Sequence, residues 1–405
     1  MVMSGTSAVQ AVFNAGAAVV STLALGPGDR GLMVIGMLIG SLSALVGGLG
    51  TGPAFRFRLC AVSGEDRRAL LSAFVWCSAV GGVFAAALSV VGTARSAPLI
   101  DDELATPGFL VAVGAFTIVQ VVVQQVVEAW FADGRFRRGA TAAALVSAGG
   151  LLGVVIASVT ARTTTGLLTG QAIAAAAVLI VEVVALRRAG LLELARPSRE
   201  DVVALLRRGG PTLGLAVGLV VALRADRYVL GLTSGPAAVG VYSLAATLSE
   251  VARMIPSAIG QIYLRDVSLG RGGRNLTKAI GAAVAAAALG GLLITAAAWV
   301  LVVPVFGAEF GAARVLLVVL VVAELCFAPY AVASRGLLGG GWSKTAGALG
   351  GCGAIGAITC YCVSGSLAGA AGVAAGSVVV YGALSIASWT LLRRRIVVAS
   401  ARPGG

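Results

Sequence analysis

Runs of about twenty mostly apolar residues recur along almost the whole chain, and that is the length an α-helix needs to cross the hydrocarbon of a bilayer. Twelve such spans are expected, at roughly 8–27, 31–52, 70–93, 108–132, 139–160 and 165–187, then 210–232, 238–263, 278–304, 311–334, 345–364 and 368–392. Glycine and alanine are abundant inside them. Small side chains let membrane helices approach closely, so the runs predict a packed bundle rather than isolated anchors. Only 12% of the 405 residues are charged, about half the share usual in a soluble domain. The expected fold class is an all-α polytopic membrane protein with about 12 transmembrane helices. The first run has no basic region before it and no clear cleavage site after it, so it reads as a retained helix rather than a secretory leader.

The few charges are sorted by loop. Arginine and lysine crowd alternate connections: Arg56, Arg58, Arg67 and Arg68; Arg135, Arg137 and Arg138; Arg187 to Arg208; Arg265, Arg271, Arg274 and Lys278; Arg335 and Lys344; and Arg393 to Arg395. The opposite connections hold only Arg30, Arg95, Arg162 and Arg314, with the acidic run Asp101, Asp102, Glu103. By the positive-inside rule the first set is cytoplasmic, which places both termini inside and agrees with an even number of spans. The same sorting accounts for the net charge of +13. A nucleic-acid partner is not expected, because the basic residues do not combine with aromatics into a solvated patch.

The longest connection, "RRAGLLELARPSREDVVALLRRGGP", divides the chain near its middle. Its apolar and basic residues predict a short amphipathic helix on the inner membrane surface; a solvated linker is the alternative. The expected organisation is an N-terminal six-helix lobe over 1–190, a cytoplasmic linker over 191–209 and a C-terminal six-helix lobe over 210–405. The halves look alike. "LGPGDRG" joins spans one and two as "SGPAAVGVY" joins seven and eight, and "ADGRFRRGA" follows span four as "LGGGWSKTAGA" follows ten. The interval from Gly28 to Phe136 agrees within one residue with that from Pro236 to Ser343. A six-span unit used twice in parallel explains this, and it is a plan transporters use.

Much chemistry is excluded by what is missing. Histidine is absent, which removes imidazole acid–base catalysis, imidazole metal sites and histidine proton relays. The six cysteines have no CxxC spacing and read as small apolar packing residues. "GGLGTG" ends an apolar span instead of opening the helix of a βαβ unit, and it lacks the Walker lysine. No paired carboxylates of a glycosidase and no metal-ligand spacing stand out. No enzyme, cofactor, metal or nucleotide motor is expected, so substrate or ion gradients must drive any transport.

What remains is a set of charges within the spans. A charge at bilayer depth costs about 2.5–3.5 kcal/mol on insertion scales and usually faces a partner or a wet cavity. Glu128 and Glu182 lie near the cytoplasmic ends of spans four and six, where they can snorkel. Arg224, Asp226 and Arg227 lie past the middle of span seven, Glu250 and Arg253 in span eight, and Glu324 in span ten. Arg224 and Arg227 are i,i+3 and share a helix face, as do Glu250 and Arg253. Two readings follow. In one, Asp226 pairs with Arg253, or Glu250 with Arg227, as a clasp between spans seven and eight. In the other, an arginine is left to bind an anion, for which its planar, always-charged fork suits a diphosphate. Glu324 is either a coupling charge or an interhelical hydrogen-bond partner. Gln120 and Gln124 share a face of span four and could meet sugar hydroxyls or simply bond a neighbouring helix.

These pieces carry a family likeness. "LALGPGDRG", "GGLGTGPAFRFRL", "ADRYVLGLTSGPAAVGVYSLAATLSEVARMIPSAIG" and "GLLGGGWSKTAG" resemble the polysaccharide transporter family, the Wzx-type flippases of the multidrug/oligosaccharidyl-lipid/polysaccharide exporter superfamily. The likeness covers most of the chain, and its most specific part runs from Asp226 to Ala245; the N-terminal tail is short for the family. The resemblance implies two six-helix lobes around a central cavity, open alternately to either side. It implies a polyprenyl-diphosphate-linked glycan as substrate, surrounding membrane lipid, a coupling cation and a polysaccharide assembly machinery as partners. Arg224, Arg227, Gln120 and Gln124 are the candidate substrate contacts, and Asp226, Glu250, Arg253 and Glu324 the candidate structural or coupling charges. A cation-coupled drug exporter of the same superfamily, a membrane polysaccharide polymerase or glycosyltransferase, and a non-transporting scaffold are the alternatives. The short outer loops speak against the polymerase.

Overall fold

The computed structural model describes residues 2–270 and 272–400, and every regular element among them is helical. Arg271 of the expected basic loop lies outside the described residues, as does the C-terminal 401–405. The chain divides into two compact units, Met1–Val217 and Gly218–Gly405. The first holds α1 (Val2–Ala24), α2 (Pro27–Gly47), α3 (Thr51–Leu59), α4 (Gly64–Ile100), α5 (Pro107–Ala132), α6 (Phe136–Thr160), α7 (Thr164–Arg188) and the beginning of α8 (Arg199–Glu250). The rest of α8, α9 (Met254–Ser268), α10 (Gly272–Phe306), α11 (Ala313–Gly339) and α12 (Ser343–Ser400) make the second.

The helix boundaries follow ordinary chain chemistry. Proline occupies the first turn of α2 and of α5, where its missing N–H has no intrahelical partner to lose. α4 is 37 residues long and outruns the expected 70–93 at both ends; Glu65 and Asp66 in its first turn complement the N-terminal dipole. Within α8 the helix breaks at Gly235, whose φ of 79° lies in the left-handed region that glycine adopts without a Cβ clash. A similar break at Ala368 and Gly369 divides α12.

Nine helical stretches among the described residues are long and apolar enough to cross a membrane. Two of these, Ala216–Ser268 and Lys344–Ile396, contain the breaks just described. The outward faces of the membrane helices are apolar: Leu292 and Val300 of α10 are each about two-thirds exposed, and Val159 of α6 is 75% exposed. Such surface suits lipid, where contiguous aliphatic exposure carries no penalty. The chain is a multi-pass membrane protein.

The middle connection differs from the expected surface helix. Residues 191–198 are not helical, and the helical part from Arg199 onward runs straight into α8. The segment is held by specific contacts: the Ala195 carbonyl accepts from the Ser72 hydroxyl and, at 3.1 Å, from Trp76 Nε1. Arg58 pairs with Asp201 at 2.9 Å, while Leu191 and Leu205 are buried among Leu70, Phe74 and Leu186. Pro197 and these anchors explain why an amphipathic pattern did not become a free helix. In the same unit α2 and α4 meet through Gly47 and Gly81, where a methyl group on either residue would strike the other's carbonyl oxygen.

Candidate functional site

The charges of the second unit converge. α8 carries Arg224, Asp226 and Arg227 before the Gly235 break and Glu250 after it, so the two limbs bring residues far apart in sequence together. Glu250 lies at the centre: Arg227 donates to its Oε1 at 2.5 Å, Arg224 to its Oε2 at 3.3 Å, and Arg253 approaches at 3.6 Å. Arg253 also reaches Glu324 of α11 at 3.1 Å and lies over the Phe327 ring, 5.1 Å from its centroid. The structure thus brings all six candidate charges of spans seven, eight and ten into one region.

Asp226 has a different partner from the one expected. It forms no ion pair with Arg253; Tyr242 donates to its Oδ2 at 2.8 Å, and the Arg227 backbone N–H to its Oδ1 at 2.8 Å. The reason is angular, since Asp226 points away from the face that carries Arg224 and Arg227. Tyr242 is fully buried and also meets Ser377 of α12 at 3.4 Å. Tyr361 of α12 donates to the Ala222 carbonyl at 3.1 Å, a second tie between the same helices. Tyr242, Tyr361 and Ser377 went unnoticed in the sequence, although Tyr242 lies within the "VGVYS" motif; an apolar neighbourhood gives no sign that a hydroxyl is aimed at a carboxylate.

Three cations and three anions make the cluster, so their formal charges cancel. Exposure separates them. The Arg224 side chain is 44% exposed, whereas those of Arg227 and Glu324 are 7% and 4% exposed. Arg227 Nε and Glu324 Oε2 are buried and have no partner among the described residues. A buried ion pair offsets its desolvation only through close geometry, and each orphaned polar atom adds cost. Arg227 and Arg253 are thus the more deeply held guanidinium groups, and Arg224 is the most exposed of the three.

The helices around the cluster are interrupted. A 3₁₀ turn at Val251–Arg253 separates α8 from α9, just where Glu250 and Arg253 lie. In α11, Pro329 removes one ladder hydrogen bond, and Ser385 of α12 opens the next: its hydroxyl donates to the Cys326 carbonyl at 2.5 Å and accepts the Tyr330 N–H at 3.0 Å. This repair lies within two turns of Glu324.

The remaining candidates belong to the first unit. Gln120 is half-buried and Gln124 exposed, and neither makes a hydrogen bond among the described residues. Gln125 is buried, with its Oε1 unpartnered. Glu128 is half-buried and held by Arg56 at 2.5 Å. Glu182 does not snorkel: it is 1% exposed, because Arg138 reaches down to it at 2.9 Å. All six cysteines are unpaired; Cys77 is buried as expected of a packing residue, while Cys60, Cys352 and Cys362 are exposed. No cluster of metal-ligating side chains occurs among the described residues.

Comparison with known proteins places the chain. Residues 9–263 match the family described as "Polysaccharide biosynthesis protein", which is more than half of the sequence and includes Arg224 to Arg253. No curated protein matches. Among solved structures, the chain resembles the lipid II flippase MurJ in an inward closed conformation, with a TM-score of 0.77 and 13% identity over 96% of this chain and 87% of that one. An inward-facing multidrug resistance MATE transporter of the MOP superfamily gives 0.69 and 16% over 98% and 96%. A MOP-superfamily transporter from Pyrococcus furiosus, described as having a binding pocket of reverse polarity, gives 0.64 and 17% over 99% and 95%. The fold is the one these transporters share, and the chain belongs to the polysaccharide biosynthesis protein family.

Proposed function

We propose that the protein is a flippase that carries a polyprenyl-diphosphate-linked oligosaccharide across the cytoplasmic membrane by alternating access, for assembly of a surface polysaccharide. The observation that carries this reading is Arg224: an accessible guanidinium on a membrane helix of a polysaccharide-family protein, held only loosely by Glu250 at 3.3 Å. A diphosphate offers paired oxygens to such a fork, in charge-assisted hydrogen bonds. When Arg224 turns to the substrate, Glu250 keeps Arg227 and Arg253 and is not left unpaired. Gln120 and Gln124, with free amides, are assigned to sugar hydroxyls. Asp226, Glu250, Arg253 and Glu324 hold the helices, and the Ser385 bridge and the 3₁₀ turn supply bend points beside them.

In this reading the chain has twelve spans in two six-helix lobes, 1–190 and 210–405, joined by 191–209, and the breaks in α8 and α12 support the count. Both termini are cytoplasmic in the same reading, supported by the basic connections. A coupling cation, the surrounding lipid and the polysaccharide assembly machinery complete the partners. Cation-coupled export of a small drug is the second reading, favoured by the buried, half-unpartnered carboxylate of Glu324. Depletion of the protein separates the two. Lipid extracts should accumulate the diphosphate-linked oligosaccharide while surface glycan disappears; an unchanged glycolipid with raised sensitivity to cationic dyes would support the drug exporter instead.

A further inference from the structure

A second feature lies in the first unit. The end of α5, the start of α6 and the end of α7 enclose a cleft of about 620 Å³. Arg135, Arg138 and Arg188 line its rim, and Trp130 forms part of its wall. The guanidinium groups of Arg135 and Arg138 lie 5.6 and 5.7 Å from the Trp130 ring centroid, and the indole face holds both cations in place. Asp133 takes Arg135 at 2.9 Å and Glu182 takes Arg138 at 2.9 Å, while Arg188 is exposed and has no partner among the described residues. Asp133 is itself shared with Arg67 at 3.1 Å, so cations outnumber anions. The rest of the cleft is aliphatic: Ile180, Val181 and Val184 of α7 line it and are 65%, 63% and 43% exposed.

A rim of arginines above an exposed aliphatic floor calls for a molecule with an anionic head and an apolar tail. The aliphatic side chains face lipid as those of α10 do; what sets this cleft apart is the excess of arginine beside them, with Arg188 unpartnered among the described residues.

We propose that this cleft binds one anionic phospholipid, with its phosphate among Arg135, Arg138 and Arg188 and an acyl chain along Ile180, Val181 and Val184. Basic pockets between membrane helices are suited to such headgroups. The site is independent of the transported substrate and does not depend on the function proposed above.

The test uses the full-length protein in nanodiscs of phosphatidylcholine doped with phosphatidylglycerol, with native mass spectrometry counting retained lipids. Arg135→Gln and Arg188→Gln alter exposed rim residues and leave the half-buried Arg138–Glu182 pair in place. Wild type should retain one phosphatidylglycerol preferentially. Each substitution should lower its relative retention about fivefold, and the pair together about thirtyfold. Arg95→Gln, near the C-terminal end of α4, should change nothing. Inorganic phosphate distinguishes the sources: retention that survives excess phosphate requires the lipid tail, whereas full displacement by phosphate would overturn a lipid site in favour of a simple anion site. Equal retention of phosphatidylcholine and phosphatidylglycerol, or an unaltered preference in the double variant, would also overturn the proposal.

Discussion

Under the proposed function, stability and substrate binding at the Glu250 cluster fall on different residues. Glu250→Gln keeps the shape of the side chain and removes its charge. Arg253 retains Glu324, and Arg224 is accessible to solvent, so the burden falls on Arg227, whose side chain is 7% exposed and whose Nε already lacks a partner. Removing one partner of a buried ion pair costs about 3–5 kcal/mol. In a unit of this size that corresponds to a fall in Tm of roughly 10 °C. Arg224→Gln should behave differently: an ion pair this exposed contributes about 0–1 kcal/mol, so Tm should stay within roughly 3 °C of wild type while glycan export falls at least about tenfold. Adding Arg227→Met to Glu250→Gln removes the stranded charge and should recover much of the lost Tm. The measurements are thermal unfolding of the purified full-length protein and surface glycan in cells complemented with each variant. If Glu250→Gln melts with wild type, or if Arg224→Gln melts as early as Glu250→Gln, the division of roles between these residues is wrong.

Other predictions follow from single contacts. Tyr242→Phe removes the donor to Asp226 at a buried site and should destabilise by about 1–3 kcal/mol, seen as a lower Tm. Gly81→Ala places a methyl group against the Gly47 carbonyl and should cost about 1–3 kcal/mol through forced separation of α2 and α4, whereas Gly210→Ala, with open space around it, should have little effect. Ser385→Ala lets α11 close its own Cys326–Tyr330 hydrogen bond; export should slow while Tm changes by less than about 1 kcal/mol equivalent, which paired export and melting assays would check. In the short connection between α4 and α5, burial first and then Asp29 and Asp101 raise the Glu103 carboxyl above its ordinary value. The folded state therefore holds the Glu103 proton more tightly than the unfolded state, so its contribution to stability falls as pH rises above the ordinary carboxylate value. Glu103→Gln should raise Tm at pH 7, and the difference from wild type should shrink as pH is lowered.

The helical membrane fold was legible because hydrocarbon thickness imposes a length and a polarity that few sequences meet by accident. The corners were legible too: Pro27, Gly134, Gly235 and Gly341 mark turns that need a fixed or a positive φ. Pairing within the cluster was only half legible. Helical spacing left Arg227–Glu250 and Asp226–Arg253 as alternatives; the structure has the first, and spacing could not rotate Asp226 towards Tyr242, which lies across the corner. Glu182 was misread as snorkelling because depth along a span says nothing about an arginine arriving from the neighbouring helix. The middle connection had the composition of an amphipathic helix, yet contacts from Ser72, Trp76 and Arg58 outweighed that local preference. Tertiary contacts of this kind leave no periodicity to read.

The most direct test of the central claim is translocation by the purified protein. Lipid-linked oligosaccharide extracted from depleted cells would be reconstituted with it in sealed vesicles, and the fraction of glycan open to an added glycosidase followed over time. The account predicts that wild type exposes glycan from the inner leaflet, and that Arg224→Gln does so far more slowly despite equal incorporation and Tm. Exposure no faster than in protein-free vesicles would contradict it.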